Sequence, residues 1–301
     1  MSSIIRRINR LFTDPRHYLY LFLKKTASFW PDKLFIKLMY YARNGKGLNL
    51  KRPKTFTEKQ NWLKLYDRKP VYTIMADKYK VKEYVANIIG QEFVVPCLGK
   101  WNKPEDVDFK VLPKQFVLKC NHNSGSGMFI CKDKESVSDW ELIRHNLADG
   151  LKQDFYYYSR VWPYKNIERC IIADQFLDDH SGNELRDYKF WCFDGEPKVM
   201  YCTNKAESIY ENFYDMDFKP LDISHGFTRL VPEFEKPEEF DLMKQLAASL
   251  SKGIPFVRVD FFDVEGRVYF GEFTFYDWGG MKPLSEYWEN KLGEYINIES
   301  V

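Results

Sequence analysis

The chain has 301 residues, 45% apolar, 29% charged and 17% aromatic, a balance that excludes wholesale disorder and suits one large domain or two to three subdomains. The net charge of +2 excludes little, but it is unevenly spread: residues 1–54 hold thirteen Lys or Arg against Asp14 and Asp32, for +11, so the remainder carries −9. This asymmetry predicts a basic arm facing something anionic, joined to a mildly acidic body. No stretch approaches the roughly 18–20 uninterrupted apolar residues that span a bilayer. The start, Met1 to Arg10, lacks a signal peptide's apolar run and cleavage site, so a cytoplasmic protein is expected. Six cysteines form no C-x-x-C pair and sit among apolar neighbours, which predicts buried free thiols.

In chain order, Ile4, Ile5, Ile8, Leu11 and Phe12 recur at helical spacing, with Arg6, Arg7 and Arg10 on the other side. Two readings stand for this segment: a helix lying on an anionic membrane surface, or one packing its apolar stripe on the body. Residues 71–89 are helical in pattern and run into Phe93-Val-Val-Pro-Cys-Leu-Gly99, a short strand bounded by Pro96 and Gly99. From Gln115 the pattern turns to strand, polar loop, strand, ending at Cys131. Residues 139–151 read as a helix. Strands follow at 170–177 and 188–193, flanking a polar loop from Asp178 to Arg186. Asp194-Gly195 signals a hairpin into 198–203. A helix is expected over 237–252 and a last hairpin over 256–275, turning at Asp263–Gly266. The mixture of hairpins and interposed helices argues for an α+β fold.

Three pieces carry chemistry. On the last hairpin, Arg258 and Asp260 share one strand face, and Glu272 and Thr274 share another. If the turn pairs these strands, two carboxylates and an arginine converge, a donor set that suits a magnesium ion bearing phosphate oxygens. A solvated face with cross-strand ion pairs is the alternative. Second, Lys119 precedes Asn121-His-Asn-Ser-Gly-Ser-Gly127, a loop whose backbone N–H groups can lie on phosphates; alone, such a loop is more often a turn. Third, Asp77-Lys78 stands where a helix is expected to start.

In this order the pieces resemble the ATP-grasp superfamily, and within it the TupA-like group linked to teichuronic acid and other surface polysaccharides. Asp77-Lys78 with Val94-Val-Pro96 resembles the entry motif, and Phe116-Val-Leu-Lys119 with Ser124-Gly125-Ser126-Gly127 the phosphate-binding lysine and glycine loop. Asp174, Gln175, Phe176 and Leu177 stand where a hinge strand holds adenine. Arg258 with Asp260 and Glu272 resemble the catalytic arginine and magnesium carboxylates. The TupA-like character comes from Leu98-Gly-x-Trp101, Lys119-x-Asn-His122-x-Ser-Gly125, Asp187-Tyr-Lys-Phe and Phe256-Val-Arg-Val-Asp260. Three positions depart from the pattern: Thr274 replaces the usual Asn of the metal site, Asp174-Gln175 replaces the hinge acids, and Tyr276-Asp-Trp-Gly279-Gly280 replaces Pro-Gly.

The resemblance implies two α+β subdomains clasping ATP, preceded by a helical basic extension. The divisions it implies are 1–54, 55–112, 113–177 (the lid with the glycine loop) and 178–301 (the metal site). It further implies ATP and Mg²⁺ as cofactors and an acyl-phosphate route to an amide, joining a glycan or small-molecule carboxylate to an amine such as an amino acid. Lys78 and Lys119 would contact ATP, Arg258 and Lys189 would be catalytic, Thr274 would complete the metal set, and His122, Asp187, Gly279 and Gly280 would face substrate. Nucleic acid is not among the implied partners; an anionic membrane touched by residues 1–54 is. A glycosyltransferase and a sugar kinase are the alternatives. For the former, the Asp-x-Asp signature survives only as Asp106-Val-Asp108 and Asp215-Met-Asp217, neither after an apolar strand. His17, His145, His180 and His225 show no ligand spacing and receive no role.

Overall fold

A computed structural model describes residues 15–299 apart from 124, 126, 179–184, 205–209 and 231–233. The stripe from Ile4 to Phe12, both loop serines Ser124 and Ser126, and most of the 178–186 loop therefore lie outside the described residues.

The chain enters through α1 (Pro15–Lys25) and α2 (Asp32–Asn44). Leu23, Phe35, Ile36, Met39 and Tyr40 turn inward at helical spacing and pack with Leu48, Leu50 and the distant Met281. Residues 15–54 are thus seated on the body, not a free arm. Asp32 anchors them further, accepting from Tyr156 OH at 2.7 Å and pairing with Arg160 Nε at 3.0 Å and Arg68 Nη2 at 2.7 Å. Next, α3 (Phe56–Tyr66) begins at a capping box: Thr55 Oγ1 accepts from the Glu58 N–H and Glu58 Oε2 from the Thr55 N–H.

The single helix expected over 71–89 is two, α4 (Pro70–Ala76) and α5 (Val81–Ile89). The break lies at Asp77, whose Oδ1 accepts from the Tyr79 N–H at 2.9 Å and the Lys80 N–H at 3.3 Å. A short side chain that bonds its own backbone in this way competes with the helix. The next strand also differs from expectation, since β1 spans Cys97–Trp101. Pro96 has no N–H to give a ladder, so pairing starts after it; its carbonyl accepts from Gln175 N, while Val94 bridges to Phe270 instead. Gly99 lies inside β1, at a register shift. Cys97, on this edge, is exposed; the other five cysteines are buried, and all six are free.

β1 joins β2 (Phe116–Cys120), β3 (Met128–Cys131) and β4 (Ile171–Gln175) in an antiparallel sheet ordered β1-β4-β2-β3. α6 (Trp140–Lys152), capped by Asp139, covers one face, with Ile143 and Leu147 against Phe116, Leu118, Ile171 and Ala173. The strand's period of two then sends Val117 and Lys119 to the opposite face. Gly127 holds φ 68°, and a Cβ there would come within 2.7 Å of Cys120 Sγ and 2.9 Å of Gly150 Cα, so glycine lets loop and helix meet. A short α7 (Phe155–Ser159) then turns Tyr156 toward Asp32.

The second sheet has six antiparallel strands: β5 (Asp187–Phe193), β6 (Glu196–Asn204), β7 (Tyr210–Tyr214), β8 (Pro220–Leu221), β9 (Val257–Val264) and β10 (Arg267–Thr274), ordered β10-β9-β5-β6-β7-β8. The two predicted hairpin turns carry consecutive positive φ angles, 47° and 85° at Asp194-Gly195 and 54° and 77° at Glu265-Gly266. α8 (Phe240–Ser251) buries Phe240, Met243, Ala247 and Leu250 on this sheet. Each such side chain contributes up to about 1.5–3 kcal/mol. α9 (Glu286–Tyr295) closes the chain against α3, with Glu289 Oε2 accepting from the Thr57 N–H at 3.0 Å. Among the described residues, no helix is long and apolar enough to cross a membrane.

Candidate active site

Between the two sheets lies a cavity of about 620 Å³, a size suited to a nucleotide. Lys119, Met128 and Ile130 line it from the first sheet, Phe262, Phe270, Gly271 and Glu272 from the second. Lys78 and Lys82 line its side, and Asp174, Gln175, Phe176, Leu177 and Asp187 its connecting edge.

The last hairpin does what its period requires. β9 and β10 pair with Asp260 opposite Glu272 and Arg258 opposite Thr274, with a register shift at Gly271. Arg258 lies across these groups. Its Nε and Nη2 donate to Asp260 Oδ1 and Oδ2 at 2.7 and 2.6 Å, and Nη2 reaches Glu272 Oε1 at 3.3 Å. Its Nη1 donates to Asp277 Oδ1 at 2.8 Å and Tyr201 OH at 3.0 Å. Thr274 Oγ1 donates to Glu272 Oε1 at 3.2 Å, and Lys78 Nζ stands 3.8 Å from Glu272 Oε2. Burial pushes the Asp260 carboxyl up to about 6, with Arg258 opposing. Burial raises Glu272 as well, but Lys78 and Arg258 outweigh it and leave the group below its ordinary value. Lys78 is itself lowered by burial.

Two carboxylates suit a Mg²⁺ that brings phosphate and water oxygens, not an all-protein cage. Among the described residues no group of three or more His, Cys, Asp or Glu comes together as a cage. Asp260 and Glu272 both reach Arg258 Nη2, so the two carboxylates converge on one point of positive charge, and such a converging oxygen pair would suit the ion.

Other predicted residues are placed less simply. Lys119 pairs with Asp174 at 2.8 Å, and Lys82, which sequence reasoning passed over, pairs with the same carboxylate at 3.0 Å and donates to the Val95 carbonyl at 2.7 Å. Lys189 pairs with Asp187 at 2.8 Å and donates to Thr203 Oγ1 at 3.0 Å, opposite Asp260 in the sheet register. His122 is turned away from the cavity, its Nε2 3.0 Å from the Gln153 carbonyl oxygen, and burial lowers its pKa. Gly125 is exposed on the loop. Gly279 and Gly280 do not line the cavity. They belong to a run in which Tyr276, Trp278, Gly279 and Gly280 all have positive φ, and the Gly280 carbonyl accepts from Asn61 Nδ2.

Sequence reasoning also missed Asp277, His225 and Glu211. They lie on three different segments, and no local pattern joins them.

A chain in which two α+β layers face each other across a nucleotide-sized cavity, with lysines above and an arginine–carboxylate group below, has the architecture of an ATP-grasp enzyme. Residues 58–297 match the family described as TupA-like ATPgrasp, and the chain belongs to that family, within the ATP-grasp ligase superfamily. Similar solved structures include D-alanine–D-alanine ligase from Bacillus anthracis, 20% identical with a TM-score of 0.46 over 75% of this chain and 67% of that one. The same enzyme from Helicobacter pylori is 14% identical, with a TM-score of 0.43 over 82% and 65%. D-cycloserine synthetase DcsG is 13% identical, with a TM-score of 0.43 over 77% and 72%. At these identities the likeness concerns fold and says nothing of substrate. A comparison with curated proteins finds no match.

Proposed function

We propose that this chain is an ATP- and Mg²⁺-dependent carboxylate–amine ligase. The observation that carries the reading is the convergence of Arg258 and Asp260 on Glu272, which with Lys78 lines a cavity whose other wall presents Lys119. Asp260 and Glu272, with Thr274 beside them, would hold the Mg²⁺ that accompanies ATP, which would supply charge neutralisation for phosphoryl transfer. Lys119 and Lys78 bind the phosphates, and Gln175, Phe176 and Leu177 face the base. Arg258 and Lys189 stabilise the charge that develops as the γ-phosphoryl group leaves ADP for a carboxylate oxygen. The amine then attacks the acyl carbon, gives up a proton, and expels phosphate to leave an amide.

For the acceptor we propose a sugar carboxylate of a surface polysaccharide, entering past Asp187, and for the amine an amino acid. Residues 1–54 hold the enzyme at an anionic membrane surface where lipid-linked glycans are built, consistent with their charge of +11. A glycosyltransferase is less well supported, since both Asp-x-Asp pairs serve turns. Asp108 Oδ1 accepts from the Lys110 N–H at 2.9 Å, and Asp215 Oδ1 accepts from the Asp217 N–H at 2.9 Å and the Lys219 N–H at 2.8 Å. Incubation with MgATP, pooled amino acids and uronic-acid glycans tests the reading. ADP with an amide product supports it; ADP with a phospho-sugar would make the chain a kinase.

A further inference from the structure

Behind Arg258 runs a line of buried charge that the ligase reading does not use. Asp277, whose Oδ1 takes the Arg258 and Tyr201 hydrogen bonds, has its other oxygen, Oδ2, 3.0 Å from His225 Nε2. Among the described residues that oxygen accepts no well-aligned hydrogen bond, so His225 meets it as an ion-pair contact. On the far side of the ring, His225 Nδ1 lies 3.0 Å from Glu211 Oε2, and Glu211 Oε1 accepts from the His225 backbone N–H. All three side chains are at most 2% exposed. A neutral imidazole has one N–H and one lone pair, so between two carboxylates it would press that lone pair against one of them. Both ring nitrogens therefore carry protons, and Glu211–His225–Asp277 is a buried carboxylate–imidazolium–carboxylate line ending on the guanidinium.

The line has a mechanical consequence. Arg258 is held from two sides, by Asp260 and Glu272 on one and by Asp277 with Tyr201 on the other. If the first pair turns to a metal ion, only the second still aims the guanidinium. We propose that His225 is a positioning residue: as an imidazolium clamped by Glu211, it fixes the Asp277 carboxylate and so keeps Arg258 aimed at the γ-phosphoryl group. This rests on the ligase reading, in which Arg258 meets that group. The groups facing the imidazole are Glu211 on β7, Asp277 after β10 and Tyr201 on β6, with Lys282 acting on both carboxylates. The ring is boxed by Trp191, Phe213 and Trp278, which leaves it little room to turn.

The test is calorimetric titration of the full chain with MgATP and, separately, MgADP, which lacks the group Arg258 would meet. His225→Gln should weaken MgATP about tenfold and MgADP less than about twofold, the scale seen when a supporting partner is removed behind a working residue. Glu211→Gln, nearly isosteric and less exposed to misfolding, should keep the preference for MgATP at about pH 6 and lose it by about pH 7.5, because one carboxylate now holds the imidazolium instead of two. Equal weakening of both nucleotides, or no change in either variant, overturns the proposal and makes the line structural only. A wild-type chain that binds neither nucleotide overturns the ligase reading itself, and this proposal with it.

Discussion

Lys119 and Asp174 face each other at 2.8 Å across neighbouring strands of the first sheet, so a lysine and a carboxylate that sequence resemblance assigns to one nucleotide are partners of each other. Asp174 is buried and is shared with Lys82, which neutralises it twice over. The phosphate binding proposed for Lys119 would therefore compete with a contact already made, and Lys82 would keep Asp174 paired when Lys119 turns away.

Lys119→Ala should accordingly fold normally and bind MgATP about 10- to 100-fold more weakly, the loss of one charge-assisted contact of about 1.5–3 kcal/mol. Calorimetry checks the affinity and a thermal melt the fold. Lys82→Ala in the Lys119→Ala background should then cost several degrees in Tm, because Asp174 is left buried and unpaired.

Asp260→Asn and Glu272→Gln should each abolish Mg²⁺-dependent ADP release while leaving the circular dichroism spectrum unchanged. Each removes a carboxylate from the pair opposite each other on β9 and β10. Near-normal rates in both variants would remove the metal assignment.

A pH dependence of stability follows from His225. Its two carboxylate neighbours overcome burial and lift its pKa from 6.5 to about 8. A raised value means the folded chain holds the proton more tightly than the unfolded one. The stabilisation, about 2 kcal/mol, is then fully present below about pH 6.5 and lost as pH rises through about 8. Tm should fall over that interval in the wild type and more shallowly in His225→Gln; parallel slopes by scanning calorimetry would contradict the imidazolium.

The N-terminal region divides into two for testing. Deleting residues 2–13 should weaken co-sedimentation with anionic liposomes, an attraction of about 1 kcal/mol per basic residue that fades with salt. Nucleotide binding should survive. Deleting residues 2–54 should instead unfold the chain, because Leu23, Phe35, Ile36 and Met39 share a core with Met281. A well-folded shorter chain would show that core to be dispensable.

How much of this was legible depended on the range of the interactions. Arg258, Asp260, Glu272 and Thr274 could be gathered from sequence because a strand's period of two and one turn at Asp263–Gly266 determine their faces. Helix α6, expected over 139–151, spans Trp140–Lys152. The boundary at Asp77 was only half legible: Asp77-Lys78 reads as a helix start, but the apolar periodicity over 71–89 does not register the side-chain bonds to Tyr79 and Lys80 that break the run. The start of β1 was misplaced because Val94 finds its partner in Phe270, far along the chain. Glu211, His225 and Asp277 gave no signal at all: each sits on a different segment, and only the folded second sheet brings them into line.

In the proposed reaction ATP activates a carboxylate. The most direct measurement supplies ¹⁸O-labelled uronic-acid glycans with MgATP and pooled amino acids, and reads the released phosphate by mass spectrometry. An acyl phosphate leaves one carboxylate oxygen on the phosphate when the amine displaces it, so the account predicts ADP, an amide and phosphate carrying a single ¹⁸O. Phosphate retained on a sugar hydroxyl, or turnover of a nucleotide sugar without ATP, would contradict it.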